Sequence, residues 1–162
     1  MKDMIRQLFL IILCGSILGV VANQVRHDMP LIGNWSPEAR LTAETGKNMV
    51  ISLEEAKRLF SAQGALFLDA RPSVLYEEGH IKGARNVPWQ SFGDYLDEIM
   101  DIPEDAMIIT YCDGETCSLS EDLAKELLSM GFENVRVLVN GWTRWKEAGL
   151  TTERGGAKTR GK

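Results

Sequence analysis

Histidine and cysteine are scarce in this chain of 162 residues, which has two histidines, His27 and His80, and three cysteines, Cys14, Cys112 and Cys117. Three cysteines make no disulfide framework, and with two scattered histidines they make no zinc site. No metal and no other cofactor is expected. A basic face is missing as well. The net charge is −5, and the one basic concentration is the tail ERGGAKTRGK, residues 153–162. Such a balance excludes nucleic acid as a partner and leaves residues 151–162 as a flexible, solvated end. Disorder throughout is excluded by a hydrophobic content of 44% against 25% charged residues. The length suits one domain of ordinary size with an appendage.

The appendage is N-terminal. Lys2 and Arg6 stand before LFLIILCGSILGVVA, residues 8–22, which carries no charge. A basic start followed by an apolar run has the form of an export signal. Fifteen residues are short of the roughly 20 that a spanning helix needs, but the flanks Met4, Ile5 and Val25 extend the run and Arg6 can snorkel. The expectation for residues 1–25 is therefore a single-pass membrane anchor. Cleavage after Val20-Val21-Ala22 and lipid modification of Cys14 are the alternatives. The basic start places the rest of the chain on the extracytoplasmic side, membrane-bound through this helix or exported and soluble after cleavage. Residues 26–48 contain prolines and glycines without a sustained period and read as a linker.

From Met49 to Leu150 short elements alternate. MVI (49–51), ALFLDA (65–70), ARNVPW (84–89), AMIITYC (106–112) and NVRVLV (134–139) read as strands. Between them lie helical patterns. Ser52 and Glu55 form a capping box ahead of Leu53, Ala56, Leu59 and Phe60, and Ser120 caps a helix over 120–128. Further helices are expected over 72–78, 91–100 and 141–149. Apolar strands alternating with helices predict an α/β fold, three layers deep, with a mainly parallel central sheet. Ligands gather at the carboxyl ends of strands in such sheets, where Asp69 and Cys112 both fall.

Cys112 closes the most apolar strand and opens the loop Asp113, Gly114, Glu115, Thr116, Cys117, Ser118, Leu119, Ser120. A thiol between a strand and a helix N-terminus faces backbone N–H groups and the positive end of the helix dipole, which favour the thiolate. Cys112 is the candidate nucleophile, and the loop amides of residues 113–120 are its expected cradle. Cys117 is a candidate resolving thiol, able to release sulfur and leave a disulfide.

Three stretches are similar to the rhodanese-like domain family: LDARPSVLYEEGHIKGARNVP (68–88), the strand end Tyr111-Cys112, and NVRVLVNGWTRWKEAGL (134–150). The resemblance implies a sulfurtransferase. Cys112 would take sulfur from a small donor such as thiosulfate, become a persulfide and pass the sulfur to a thiol or protein acceptor. It also implies that Asp69, Arg71 and His80 form the pocket wall and are mainly structural. Gly79, Gly83 and Gly141 are expected at tight turns, and Asn140 stands where the family has a glycine. The loop departs from the family by an apparent lengthening before Ser120, by its lack of arginine and by Asp113 and Glu115, whose charge opposes an anionic donor. A phosphatase of the same fold is excluded, because the arginine it needs at the sixth place after the cysteine is Ser118 here. The rival reading is a non-catalytic, membrane-tethered binding or redox-partner module, its loop closed by a Cys112–Cys117 disulfide.

Overall fold

The structure, a computed structural model, describes residues 2–25, 36, 39, 41–42, 45–114 and 117–156. The chain divides into two compact units, Met1–Trp35 and Ser36–Lys162. The first contains one helix, α1 (Lys2–Val25), whose side chains from Met4 to Val20 are exposed. Among the described residues no helix is long and apolar enough to cross a membrane. The expected single-pass anchor is therefore not supported. Its uncharged run of residues 8–22 rises about 22 Å as a helix, short of the roughly 30 Å hydrocarbon core. The linker expected over 26–48 lies largely outside the described residues.

The second unit holds a four-stranded parallel sheet in the order β3-β1-β4-β5, formed by β1 (Leu66–Asp69), β3 (Arg85–Asn86), β4 (Ile108–Tyr111) and β5 (Val135–Leu138). Residues 49–51, expected as a strand, make a single parallel bridge from Val50 to Val137 beyond β5. Both faces of the sheet are covered, as continuous apolar strands require. Leu68, Ile108, Val135 and Val137 pack beneath α5 (Leu119–Ser129), together with Leu123, Ala124 and Leu127. Phe67, Ile109, Tyr111 and Leu138 face the other way, toward Ala56 of α2 (Leu53–Ser61) and Trp145 of α6 (Gly141–Glu147). Adjacent strand residues thus serve opposite layers, and the rings of Phe60, Phe67 and Trp145 meet edge to face at centroid distances of 5.1 to 5.9 Å. This is the expected three-layer α/β architecture.

Local chemistry accounts for the element ends. The Ser52 hydroxyl accepts from the Glu55 N–H at 3.2 Å and caps α2, but Glu55 completes no box. Its carboxylate turns to Arg58, at 2.6 and 2.9 Å. Residues 91–100 do not form one helix: a 3-10 segment (Trp89–Tyr95) is followed by α4 (Leu96–Met100), with Ser91 off the helical backbone at φ −127°. The helix expected to start at Ser120 starts at Leu119, with Ser118 at the cap position, so no lengthened loop is shown.

Two further differences concern the end of the domain. His80 lies in a two-residue strand, β2 (His80–Ile81), not in a turn. It pairs antiparallel with β6 (Thr152–Glu153), in the segment expected to be flexible. Glu153 holds that pairing by accepting from the Gly83 N–H at 2.8 Å and meeting His80 Nε2 at 3.2 Å. The turn glycines also divide by cause. Gly83 has φ +75°, whereas Gly141 is a close approach, since a Cβ there would sit 2.7 Å from Tyr111 Cβ.

Candidate active site

The sheet register assembles the site. Asp69 aligns with Asn86 and Tyr111, and Tyr111 aligns with Leu138, so β1, β3, β4 and β5 all end at one edge. The residues that follow, Arg71, Cys112 and Asn140, therefore enter one neighbourhood from three loops. Alternation along β4 turns Tyr111 toward α6 and leaves the Cys112 thiol facing α5.

Cys112 is buried, with 1% of its surface exposed. Its thiol donates to the carbonyl of Cys117 at 3.3 Å and accepts from the Ser120 hydroxyl at 3.2 Å. Ser120 thus serves the sulfur and not a helix cap. Its main chain is fixed as well, because the Thr110 hydroxyl donates to the Ser120 carbonyl at 2.8 Å. Cys117, half-buried, lies next to the cap of α5.

The two thiols share a hydrogen bond that sets both acidities. It pushes the Cys112 thiol up, and burial adds to this, while the Ser120 hydroxyl and N–H oppose it. The same bond lowers Cys117 to about 6; burial opposes that, the N–H groups of Leu119 and Asp113 add to it, and the Asp113 charge works against it. The amides expected to converge on Cys112 are therefore divided. The Ser120 N–H favours the Cys112 anion, and those of Leu119 and Asp113 favour the Cys117 anion. Cys117 is the cysteine that immediately precedes the cap of α5, at the positive end of the helix. Glu115 and Thr116, named as cradle residues, lie outside the described residues.

Residues 112–114 are held from α6 and the turn before it. Asn140 takes φ +51°, and its side-chain oxygen accepts from the Gly114 N–H at 2.9 Å. The Trp142 N–H donates to the Cys112 carbonyl at 3.1 Å, and the Thr143 hydroxyl donates to Asp113. Neither Asn140 nor Thr143 was visible as a loop anchor from the sequence. The one available signal was the polar side chain of Asn140 at a position where conformation alone would accept glycine.

Asp69 and Arg71 form the wall behind the loop. Both are buried, and Arg71 grips the carboxylate through Nε and Nη2 at 2.9 and 2.6 Å. Nη2 also donates to the Gly79 carbonyl at 2.8 Å. The guanidinium lies over the Trp142 ring, 4.7 Å from its centroid. Asn86 was not singled out from the sequence, yet its amide donates to the carbonyls of Asp69 and Arg71 at 3.1 and 2.9 Å. His80 stands farther along the wall, with Nδ1 2.8 Å from the Tyr76 carbonyl and the Tyr76 ring stacked on it at 3.6 Å. Beside Asp113 opens a cavity of about 320 Å³ whose lining includes Arg71, Glu78, Trp142, Lys146 and Arg154. Among the described residues no cluster of His, Cys, Asp and Glu could hold a metal ion.

Such a loop offers a thiol pair, oriented hydrogen-bond donors and a helix N-terminus, a set suited to sulfur nucleophiles. Residues 52–148 match the family described as "Rhodanese-like domain". The chain is 31% identical over 105 residues to the HTH-type transcriptional regulator Rv0324 of Mycobacterium tuberculosis, which is 65% of this chain and 45% of that protein. It is also 31% identical over 103 residues to the thiosulfate sulfurtransferase GlpE of Actinobacillus pleuropneumoniae, 64% of this chain and 91% of the enzyme. A solved thiosulfate sulfurtransferase from Pseudomonas aeruginosa superposes with a TM-score of 0.59 at 27% identity, over 74% of this chain and 22% of that one. The chain thus spans less than half of the regulator and most of the small enzyme.

Proposed function

The chain belongs to the rhodanese-like domain family, and on that premise we propose that it is a sulfurtransferase whose sulfur is carried as a persulfide on Cys112. The observation that supports this most directly is the Ser120 hydroxyl, aimed at the Cys112 sulfur from the first turn of α5 at 3.2 Å. A cysteine that only filled the core would need no such donor. In the persulfide, the same hydroxyl and the Ser120 N–H remain available to the inner sulfur.

The chemistry is a pair of displacements at sulfur. A thiolate of the loop attacks the sulfane sulfur of the donor, a new S–S bond forms, and the donor's own bond to that sulfur breaks with its electron pair leaving on the donor fragment. An acceptor thiol then attacks the outer sulfur, and the Cys112 thiolate departs. Asp113 at the loop surface disfavours a small dianion, so a persulfide, small or protein-borne, suits the loop better than thiosulfate. Donor-to-acceptor turnover with a persulfide donor and a thiol acceptor is the test. Cys112→Ser is expected to lose it, and full turnover by that variant would refute the assignment.

The second reading, a redox-partner module with a Cys112–Cys117 disulfide, is favoured by one observation, the burial of Cys112. A basic start and a fifteen-residue apolar core suit an export signal, and we propose on that ground an extracytoplasmic domain. Recovery of the full-length chain only from the cytosolic fraction would contradict that placement.

A further inference from the structure

The two sulfurs of the loop are not equivalent. Cys112 is sealed and gives its hydrogen to the Cys117 carbonyl. Cys117 is half-buried and stands one residue before the cap of α5, at the positive end of the helix. Convergent amides at a helix entrance hold an anion, and the reactive form of cysteine is the anion. Of the pair, only Cys117 combines a route to solvent with that stabilisation.

We propose that Cys117 is the thiol that captures incoming sulfur, and that it hands this sulfur inward to Cys112. The step deepens the sulfurtransferase reading and rests on it. In the first displacement the Cys117 thiolate bonds to the sulfane sulfur of the donor, and the donor fragment leaves with the electron pair. In the second, the Cys112 sulfur attacks the outer sulfur of the Cys117 persulfide as its proton passes to Cys117. One S–S bond breaks as another forms, Cys117 returns as a thiol, and the sulfur keeps its oxidation state throughout. No outside oxidant or reductant is required. The 3.3 Å hydrogen bond from the Cys112 thiol to the Cys117 carbonyl keeps the two cysteines adjacent for the second attack, and the Ser120 hydroxyl stands at the final carrier. A buried store loaded through an outer thiol keeps the persulfide from adventitious thiols.

The test is single-turnover loading of the reduced full-length chain with thiosulfate and with a small-molecule persulfide in parallel, followed by intact mass and peptide mapping. Cys112→Ser is expected to gain one sulfur atom, held on Cys117 and not passed inward. Cys117→Ser is expected to load Cys112 at least about tenfold more slowly, because a sealed and weakly ionised thiol is left. Absence of sulfur on Cys112→Ser, or loading of Cys117→Ser at the wild-type rate, would overturn the capture role. Failure of the wild type to load from either donor would instead overturn the sulfurtransferase reading beneath it. A second measurement needs no variant: limited alkylation of the reduced wild type near pH 6, where an ordinary thiol is about 99% protonated. The Cys117 peptide is expected to be modified ahead of the Cys112 peptide, and the reverse order would overturn the proposal.

Discussion

Replacing Arg71 by alanine removes the partner of a carboxylate that has no access to water. The side chains of Arg71 and Asp69 are 3% and 0% exposed, and the guanidinium also supplies the hydrogen for the Gly79 carbonyl. An exposed ion pair would cost less than about 1 kcal/mol to break. A buried one costs about 3–5 kcal/mol, because the surviving charge stays in the core unpaired. Some relief comes from the backbone, since the N–H of residue 71 donates to Asp69 at 3.0 Å whatever its side chain. The loss is therefore set near the lower end, about 3 kcal/mol. Urea unfolding followed by tryptophan fluorescence measures it as a lower midpoint at unchanged slope. Adding Asp69→Asn to Arg71→Ala removes the orphan charge and is expected to restore at least about 1 kcal/mol. A cost below about 1 kcal/mol for Arg71→Ala, or no recovery in the double variant, would refute the assignment of a dry, mutually dependent pair.

Two further perturbations probe the surroundings. Gly141→Ala places a methyl group 2.7 Å from Tyr111 Cβ and should cost about 1–3 kcal/mol, with slower sulfur loading as the Trp142 bond to the Cys112 carbonyl shifts; a neutral effect in urea unfolding would show that the approach is not tight. The Glu153 carboxyl is held below its ordinary range by the Gly83 N–H first; desolvation opposes this, and His80 and Lys82 add to it. A depressed carboxyl gives its full stabilisation above its unfolded value of about 4.3 and loses it as the pH falls through the lower folded value. Glu153→Gln should therefore flatten the acid limb of stability below about pH 4.5 and leave its shape above pH 6 unchanged, measured by urea titrations across that range. An acid limb identical to wild type would contradict the role of Glu153 as the latch of β6.

The sheet was readable because β1, β4 and β5 are short apolar runs between turn residues, and a parallel sheet buried on both faces demands such runs. The position of Cys112 followed from the same pattern. Elements of two residues carry no period, so β2, β6 and the break between the 3-10 segment and α4 were not legible. The sequence points Ser120 to a cap because serine before a helical run usually is one. The structure starts α5 one residue earlier, and that single step turns the hydroxyl from the helix end to the sulfur. The sequence suggests a turn at Gly141, but the cause is contact across space with Tyr111, which no local pattern encodes. Spacing alone gave the two cysteines but not which of them the helix entrance would face.

The most direct measurement is of the sulfur itself. The reduced full-length chain is exposed to a persulfide donor, freed of excess reagent, digested without reductant and mapped by mass. The account predicts one extra sulfur atom on the peptide holding Cys112, and its disappearance when a thiol acceptor is added. An unmodified Cys112 after complete reaction, or a bound sulfur that no thiol can remove, would contradict it.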